Sequence, residues 1–394
     1  MKETKRKTTK KVKSKVEAAP IIGILTLANK KNDFLGNKQN FIDIITNGQQ
    51  YNQNVYVVTT ADLRINQQQI YGYYYDATFN KWRRKKIPLP KVLYNRISYR
   101  KYEALPKTKR LILRCLKNQN IHLFNPFFFN KWSLFQWLKK SNTTKNYIPI
   151  TQRLKGWKEM NTLIKQFDTL YIKPIKGKAG SGIMRVRKMT GVEELGELPY
   201  ELKIQRKKSI GTYQFNTIQS LHKTIKKNTG HGKYIIQQGI QLAKNYENPF
   251  DLRVLIQKNG SGLWNITGIG ARVAGANSIT THVPRGGKID EPNILLTSYF
   301  GKEKADQLIE DVRNVTIKIC HQIEKASAYP LGEMSMDLGI DEKGKIWFFE
   351  ANSRPMKFDE PHIRNQSLTN IIKYSQFLMN TQKRTYKIKR REKN

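Results

Sequence analysis

Short apolar runs alternate with helix-spaced segments over the first 125 residues. Residues 21–27 read as a buried strand. Residues 34–47 read as a helix with Phe41, Ile44 and Ile45 on one face, and residues 54–59 as a second strand. Residues 69–75 and 81–86 have the alternation of a polar, aromatic hairpin. Residues 92–96 and 121–125 read as further strands around a helix at 111–118. Strands interleaved with helices predict a small α/β domain with a largely parallel sheet. A basic start ahead of residues 18–28 has the outline of an export signal. Pro20 opens that stretch, however, and Asn29-Lys30-Lys31-Asn32 closes it without a small-x-small cleavage site, so a first strand is the better reading.

The pattern then changes. In residues 130–140, Trp132, Phe135 and Leu138 recur at helical spacing with Leu134 and Trp137 beside them, which assigns these aromatics to a core. Pro149 and residues 151–161 read as a boundary region. Beyond it, strands are predicted at residues 170–174, 183–188, 252–257, 264–272 and 345–351, and at Tyr234–Gln238 and Glu333–Ile340. Residues 308–325 form an amphipathic helix, with Leu308, Val312, Val315, Ile319 and Ile323 on one stripe. This organisation predicts a basic disordered tail at 1–19, an α/β domain at 20–125, an α+β domain at 126–380 and a second basic tail at 381–394.

Charge adds a constraint on partners. The 394 residues carry 72 Lys and Arg against 30 Asp and Glu, a net of +42. Residues 1–15 contribute +7 and residues 383–394 contribute +6, which leaves +29 on the body. Such a field favours nucleotides, nucleic acid, anionic polymers or acidic peptides. No run of about 18 apolar residues is present, so a membrane-spanning helix is excluded. Cys115 and Cys320 are too few for a disulfide framework or a cysteine zinc cluster. These features together predict a cytoplasmic location.

Candidate chemistry concentrates in four segments. In the first, two strands flank the turn Asp341-Glu342-Lys343-Gly344, a hairpin that brings Asp337 and Glu350 together. An unbroken register pairs Asp337 with Phe348 and Ser335 with Glu350, placing the two acids diagonally on one face. With the Asn352 amide as a third oxygen, that set suits a hard cation such as Mg²⁺. Glu350 ends the apolar run Ile346-Trp347-Phe348-Phe349, where an unpartnered acid would be costly. In the second segment, a strand ends at Lys173-Pro174 and enters a loop containing Lys176, Gly177, Gly180, Ser181 and Gly182. Glycine there allows backbone N–H groups to cradle phosphate. The loop leads into another strand, which excludes a Walker A or Rossmann turn. The third segment, Gln238-Gly239-Ile240 followed by Asp251-Leu252-Arg253, offers a strand edge to a nucleobase and two polar side chains on one face. In the fourth, Arg272 ends an apolar strand as a phosphate or carboxylate clamp, and His282 follows in a Gly-rich loop.

In this order the motifs resemble the ATP-grasp superfamily. Their wording, above all Phe349-Glu350-Ala351-Asn352-Ser353-Arg354-Pro355, is closest to the YheC/YheD-type endospore coat-associated family of spore-forming Gram-positive bacteria. The resemblance covers roughly residues 125–380. It implies an ATP-grasp fold of two α+β lobes gripping ATP, preceded by a small α/β pre-ATP-grasp domain. It further implies Lys173 on the α- and β-phosphates, Gly180, Ser181 and Gly182 covering the phosphates, and Gln238, Gly239 and Ile240 along adenine. Asp251 would also contact nucleotide. Arg272 and His282 would face the γ-phosphate and the acyl substrate. Asp337, Glu350 and Asn352 would hold one or two Mg²⁺ ions, or Mn²⁺. The implied activity is an ADP-forming ligase that joins a carboxylate to an amine through an acylphosphate, acting on an unidentified substrate in sporulation. The alternative is a non-catalytic, ATP-binding coat protein, with coat proteins or an anionic polymer as partners.

Overall fold

The computed structural model describes residues 20–29, 33–177, 180–189, 199–206, 209–275, 278–281 and 286–382. Three six-stranded sheets organise these residues. The first runs Lys81–Pro88, Gln69–Asp76, Val55–Thr59, Ile22–Thr26, Val92–Asn95, His122–Phe124 in spatial order. Its last four strands are parallel, and the first two form an antiparallel edge hairpin. Ile22–Thr26 lies at the centre with every residue buried, as its unbroken apolar run requires. Helix Lys38–Gln50 packs Phe41, Ile44 and Ile45 on one face of this sheet. Helix Pro106–Lys117 packs Ile112, Cys115 and Leu116 on the other.

The second sheet is antiparallel throughout, in the order Ile210–Phe215, Tyr200–Gln205, Met184–Lys188, Thr169–Pro174, Tyr234–Gln238, Thr151–Arg153. Helices Trp157–Ile164 and Ile218–Thr229 cover one face, meeting Leu170, Ile172, Val186, Leu202 and Ile236. Strand alternation then turns Tyr171 and Lys173 to the opposite face.

The third sheet runs Lys288–Asp290, Trp264–Val273, Asn248–Lys258, Glu333–Ile340, Ile346–Asn352, and the short strand Lys244–Asn245 pairs with Asn248–Lys258. One face is apolar and packs on helices Lys131–Lys139 and Lys302–Ser327, burying Met334, Met336, Leu338, Ile346 and Phe348. The predicted stripe Leu308, Val312, Val315, Ile319 and Ile323 is buried there in full. The other face carries the polar residues of the candidate site.

The C-terminal helix Pro361–Asn380 crosses between layers. Leu368, Ile371, Ile372, Tyr374 and Met379 join the core of the first sheet, while Ile363 packs with Leu255 of the third. Its approach to the third sheet depends on missing side chains: a Cβ on Gly268 would come within 2.4 Å of Ile363.

Buried polar groups join the first and third sheets. Asn125, in a left-handed conformation, accepts the Gly332 and Glu333 amides and donates to the Glu333 and Ser353 carbonyls. Glu333 receives the Tyr94 hydroxyl, the Arg96 guanidinium at 3.2 Å and the Gln257 amide at 3.2 Å. Burial pushes the Glu333 carboxyl above its ordinary range despite these partners. Arg354 reaches toward the first sheet, where it donates to Glu103 at 2.7 Å and to the carbonyls of Ile97, Pro126 and Asn125. These contacts place the Arg354 side chain in the junction between the first and third sheets.

Candidate active site

The decisive local feature is a β-bulge. Strand Glu333–Ile340 pairs Ile340 with Ile346, Gly339 with Trp347 and Leu338 with Phe348, and then the register shifts so that Asp337 faces Glu350 and Ser335 faces Asn352. Phe349 is the extra residue. An unbroken alternation would place Glu350 on the same side as Phe348, inside the core. The bulge turns it over. The expected diagonal relation is therefore corrected to a direct cross-strand pair, and Asn352 lies on the same face opposite Ser335.

The neighbouring strand continues this polar face. Arg253 is opposite Asp337, and Asp251 is opposite Arg272 on Trp264–Val273. Arg272 is buried between two acids, with Nη2 2.5 Å from Asp337 Oδ1 and Nε 3.5 Å from Asp251 Oδ1. Burial disfavours its charge, but the Asp337 and Asp251 carboxylates outweigh that cost and hold the guanidinium above its usual range. Asp251 is raised to about 6, chiefly by burial, with Arg272 opposing. Its Oδ2 accepts the Thr281 hydroxyl, while its Oδ1 and Arg272 Nε have no hydrogen-bond partner among the described residues. Arg253, partly exposed, lies 3.8 Å from Asp337 and stacks against Phe358.

Lys173 meets this face from the second sheet. Its Nζ donates to Gln237 Oε1 at 2.6 Å and sits 5.3 Å from the Phe349 ring centroid. Gln237 is held in turn by Thr151 Oγ1 at 2.8 Å. Burial, assisted by the charge of Lys131, lowers Lys173 to about 8, against the pull of Glu350, Asp251 and Asp337. The site is thus a cleft between the second and third sheets.

Sequence reasoning misses two members of this cleft. Lys131 is buried at the start of helix Lys131–Lys139, which Asn130 caps through its side chain, and its ammonium forms an ion pair with Glu350. The available signal is that Lys131 shares the inward stripe of Leu134 and Leu138, an unusual place for an unpaired lysine. The second is Gln237, which orients Lys173; Gln238 is instead occupied by the Ile150 backbone. Gly239 follows, and a Cβ there would approach the Thr169 carbonyl oxygen to 2.8 Å. Ile240 ends this segment partly buried. Lys176, Gly180, Ser181 and Gly182 lie in the loop after Thr169–Pro174, with Gly180 at φ 69° and Gly182 at φ 73°, positions that favour glycine. His282 lies outside the described residues.

The donor set fits a hard divalent cation and a polyanion. Asp337, Glu350 and Asn352 supply oxygen, and Asp251 Oδ1 and Arg272 Nε, in ion-pair range of each other but not hydrogen-bonded among the described residues, leave hydrogen-bonding capacity open. Among the described residues no three His, Cys, Asp or Glu side chains form a ready metal cluster, so coordination would need the amide and phosphate oxygens as well. No helix among those residues is long and apolar enough to cross a membrane.

Comparison with known proteins gives the same picture of the fold. The family described as YheC/D like ATP-grasp matches residues 120–378. The chain is 29% identical over 366 residues to endospore coat-associated protein YheD of Bacillus subtilis (strain 168), covering 90% of this chain and 77% of the relative. It is 22% identical over 315 residues to endospore coat-associated protein YheC of the same organism, covering 78% and 83%. The structure of the ATP-grasp ligase PsnB complexed with minimal precursor matches with a TM-score of 0.52 at 10% identity, covering 90% of this chain and 99% of PsnB. That likeness concerns the fold alone. The chain belongs to the YheC/D-like ATP-grasp family and has the ATP-grasp fold.

Proposed function

We propose that this member of the family is an ATP- and Mg²⁺-dependent ligase that activates a carboxylate as its acylphosphate and transfers the acyl group to an amine or similar nucleophile. The observation that carries the proposal is the bulge-enforced pairing of Asp337 with Glu350, opposite Lys173 and beside Arg272. In this reading Lys173 and Lys131 bind the phosphates, and the loop with Lys176, Gly180, Ser181 and Gly182 covers them. Gln238, Gly239 and Ile240 border adenine, and Asp251 contacts nucleotide. Asp337, Glu350 and Asn352 hold the cation, which when bound offsets charge on the transferring phosphoryl group. Binding requires Lys131 to leave Glu350, and its ammonium is then free for phosphate. Arg272, already fixed by Asp337, offers Nε toward the γ-phosphate at little reorganisation cost. His282 is assigned to the acyl-substrate side from its place in the motif order.

The chemistry needs no covalent protein nucleophile. The substrate carboxylate oxygen attacks the γ-phosphorus and ADP leaves; the acceptor nitrogen, as the free amine, then attacks the acyl carbon, and phosphate leaves with the proton that the nitrogen gives up. The names of the curated relatives support a role at the spore coat, reached from the cytoplasm. They also favour a second reading, an ATP-binding coat component without turnover. ADP release with Mg²⁺, ATP and a pool of amino acids and envelope-precursor peptides separates the readings. Turnover by wild type that is lost in Glu350→Gln is expected. Equal turnover in both proteins would remove Glu350 from the reaction, and nucleotide binding without turnover would favour the coat component.

A further inference from the structure

We propose that Glu360 docks the acceptor as its ammonium and takes up the proton that this nitrogen loses before it attacks, so that the second substrate is a primary amine that arrives as a cation. The inference rests on the ligase reading and adds the chemical class of the nucleophile.

Glu360 precedes the helix Pro361–Asn380 at its N-cap, a place where an acid ordinarily bonds the first backbone amides. It makes no such bond. Its carboxylate instead lies over the third sheet: a Cβ built on Gly270 would be 2.1 Å from Glu360 Oε1 and 3.2 Å from its Cδ. Only glycine leaves room for a carboxylate there. Gly270 faces Arg253 across the strands and lies two residues before Arg272, on the face that carries Asp337. At about 3.4 Å per strand residue, Glu360 stands roughly 7 Å along the strand from Arg272. That spacing suits a small acceptor lying between an acyl group at Arg272 and an anchor at Glu360.

The chemistry of the remaining groups singles it out. Asp251 and Asp337 are each bonded to cleft partners, and Glu350 is ion-paired to Lys131. Glu360 is partly buried on this face, with no hydrogen-bond or ion-pair partner for its side chain among the described residues. Lys131, Lys173, Arg253 and Arg272 already supply cations for phosphate and carboxylate groups. A partly buried acid without a partner is the complementary feature that a cationic substrate requires.

The test uses the full chain with Mg²⁺ and a non-hydrolysable ATP analogue, glycinamide as the cationic probe and N-acetylglycinamide as its neutral counterpart, read by ligand-observed NMR. Saturable glycinamide binding that weakens at least tenfold in Glu360→Gln, with N-acetylglycinamide unbound, is expected. Glu360→Asp should retain part of the binding, and nucleotide affinity should be unchanged in both variants. Equal glycinamide binding in Glu360→Gln, or none in a wild type that binds the analogue, would overturn the assignment. Failure of the wild type to bind the analogue would instead overturn the nucleotide-cleft reading beneath it.

Discussion

Replacing Arg354 by Met tests whether its buried pair with Glu103 holds the junction of the first and third sheets together. Arg354 and Glu103 are paired at 2.7 Å with side-chain exposures of 3% and 8%. Burial lowers the guanidinium to about 10, against the opposing pull of Glu103, so it remains charged at neutral pH. Removing it strands a buried carboxylate, which costs about 3–5 kcal/mol when one partner of a buried pair is lost. The Pro126 and Asn125 carbonyls keep Asn95 as donor, whereas the Ile97 carbonyl loses its Arg354 bond. The total therefore stays near the pair's own range. With an unfolding entropy of roughly 2.1 cal/mol/K per residue, a chain of 394 residues shifts by about 1 °C per kcal/mol, so Arg354→Met should unfold about 5 °C lower in a thermal scan. Adding Glu103→Gln removes the stranded charge but keeps an acceptor for the Phe128 amide, 3.0 Å away, so the double variant should recover about half of the loss. Unchanged melting together with a raised KM for a substrate would refute this account and assign Arg354 to the cleft.

Lys131→Met should weaken nucleotide binding while raising the pKa of Lys173, whose depression owes most to burial and next to Lys131. Measuring the affinity of a fluorescent ATP analogue against pH would show the upper limb displaced upward, and an identical midpoint in both proteins would dissociate the two lysines. In wild type the sign follows from Lys173 losing its proton near 8 when folded and at 10.5 in its ordinary state. Between these values the unfolded chain holds the extra proton, so the Lys173 contribution to folding becomes more favourable as pH rises. Affinity for phosphate runs the other way and should fall about tenfold per pH unit above 8, as one proton is linked to binding. A flat affinity from pH 7 to 10 would contradict a phosphate contact by Lys173.

The parts of this fold that a linear pattern reveals are those in which one side of an element is dry. Ile22–Thr26 announces itself as an unbroken apolar run, and Glu333–Ile340 and Lys302–Ser327 because their apolar residues follow one period from end to end. Pro361–Asn380 does not: it packs on the first sheet's core through Ile371 and Ile372 and on the third sheet through Ile363, so its apolar positions occupy more than one stripe. Tyr200–Gln205 and Ile210–Phe215 are also missed, since the outer strand has no fully buried residue and supplies little apolar signal. The site obeys the same division. Asp337, Glu350, Arg272 and Lys173 can be named because acids and bases within or at the ends of apolar strands are conspicuous. Their mutual geometry depends on Phe349, a single residue whose presence in the ladder reverses the side on which Glu350 emerges. No local propensity marks Phe349 as a bulge, since an aromatic residue suits a regular strand equally well. What selects the bulge is the combined demand of both flanks: Phe348 and Ala351 must reach the core while Glu350 between them must avoid it. Strict alternation over residues 348–351 would put Phe348 and Ala351 on opposite faces; a bulge that takes Phe349 out of the alternation lets both reach the core with Glu350 turned away.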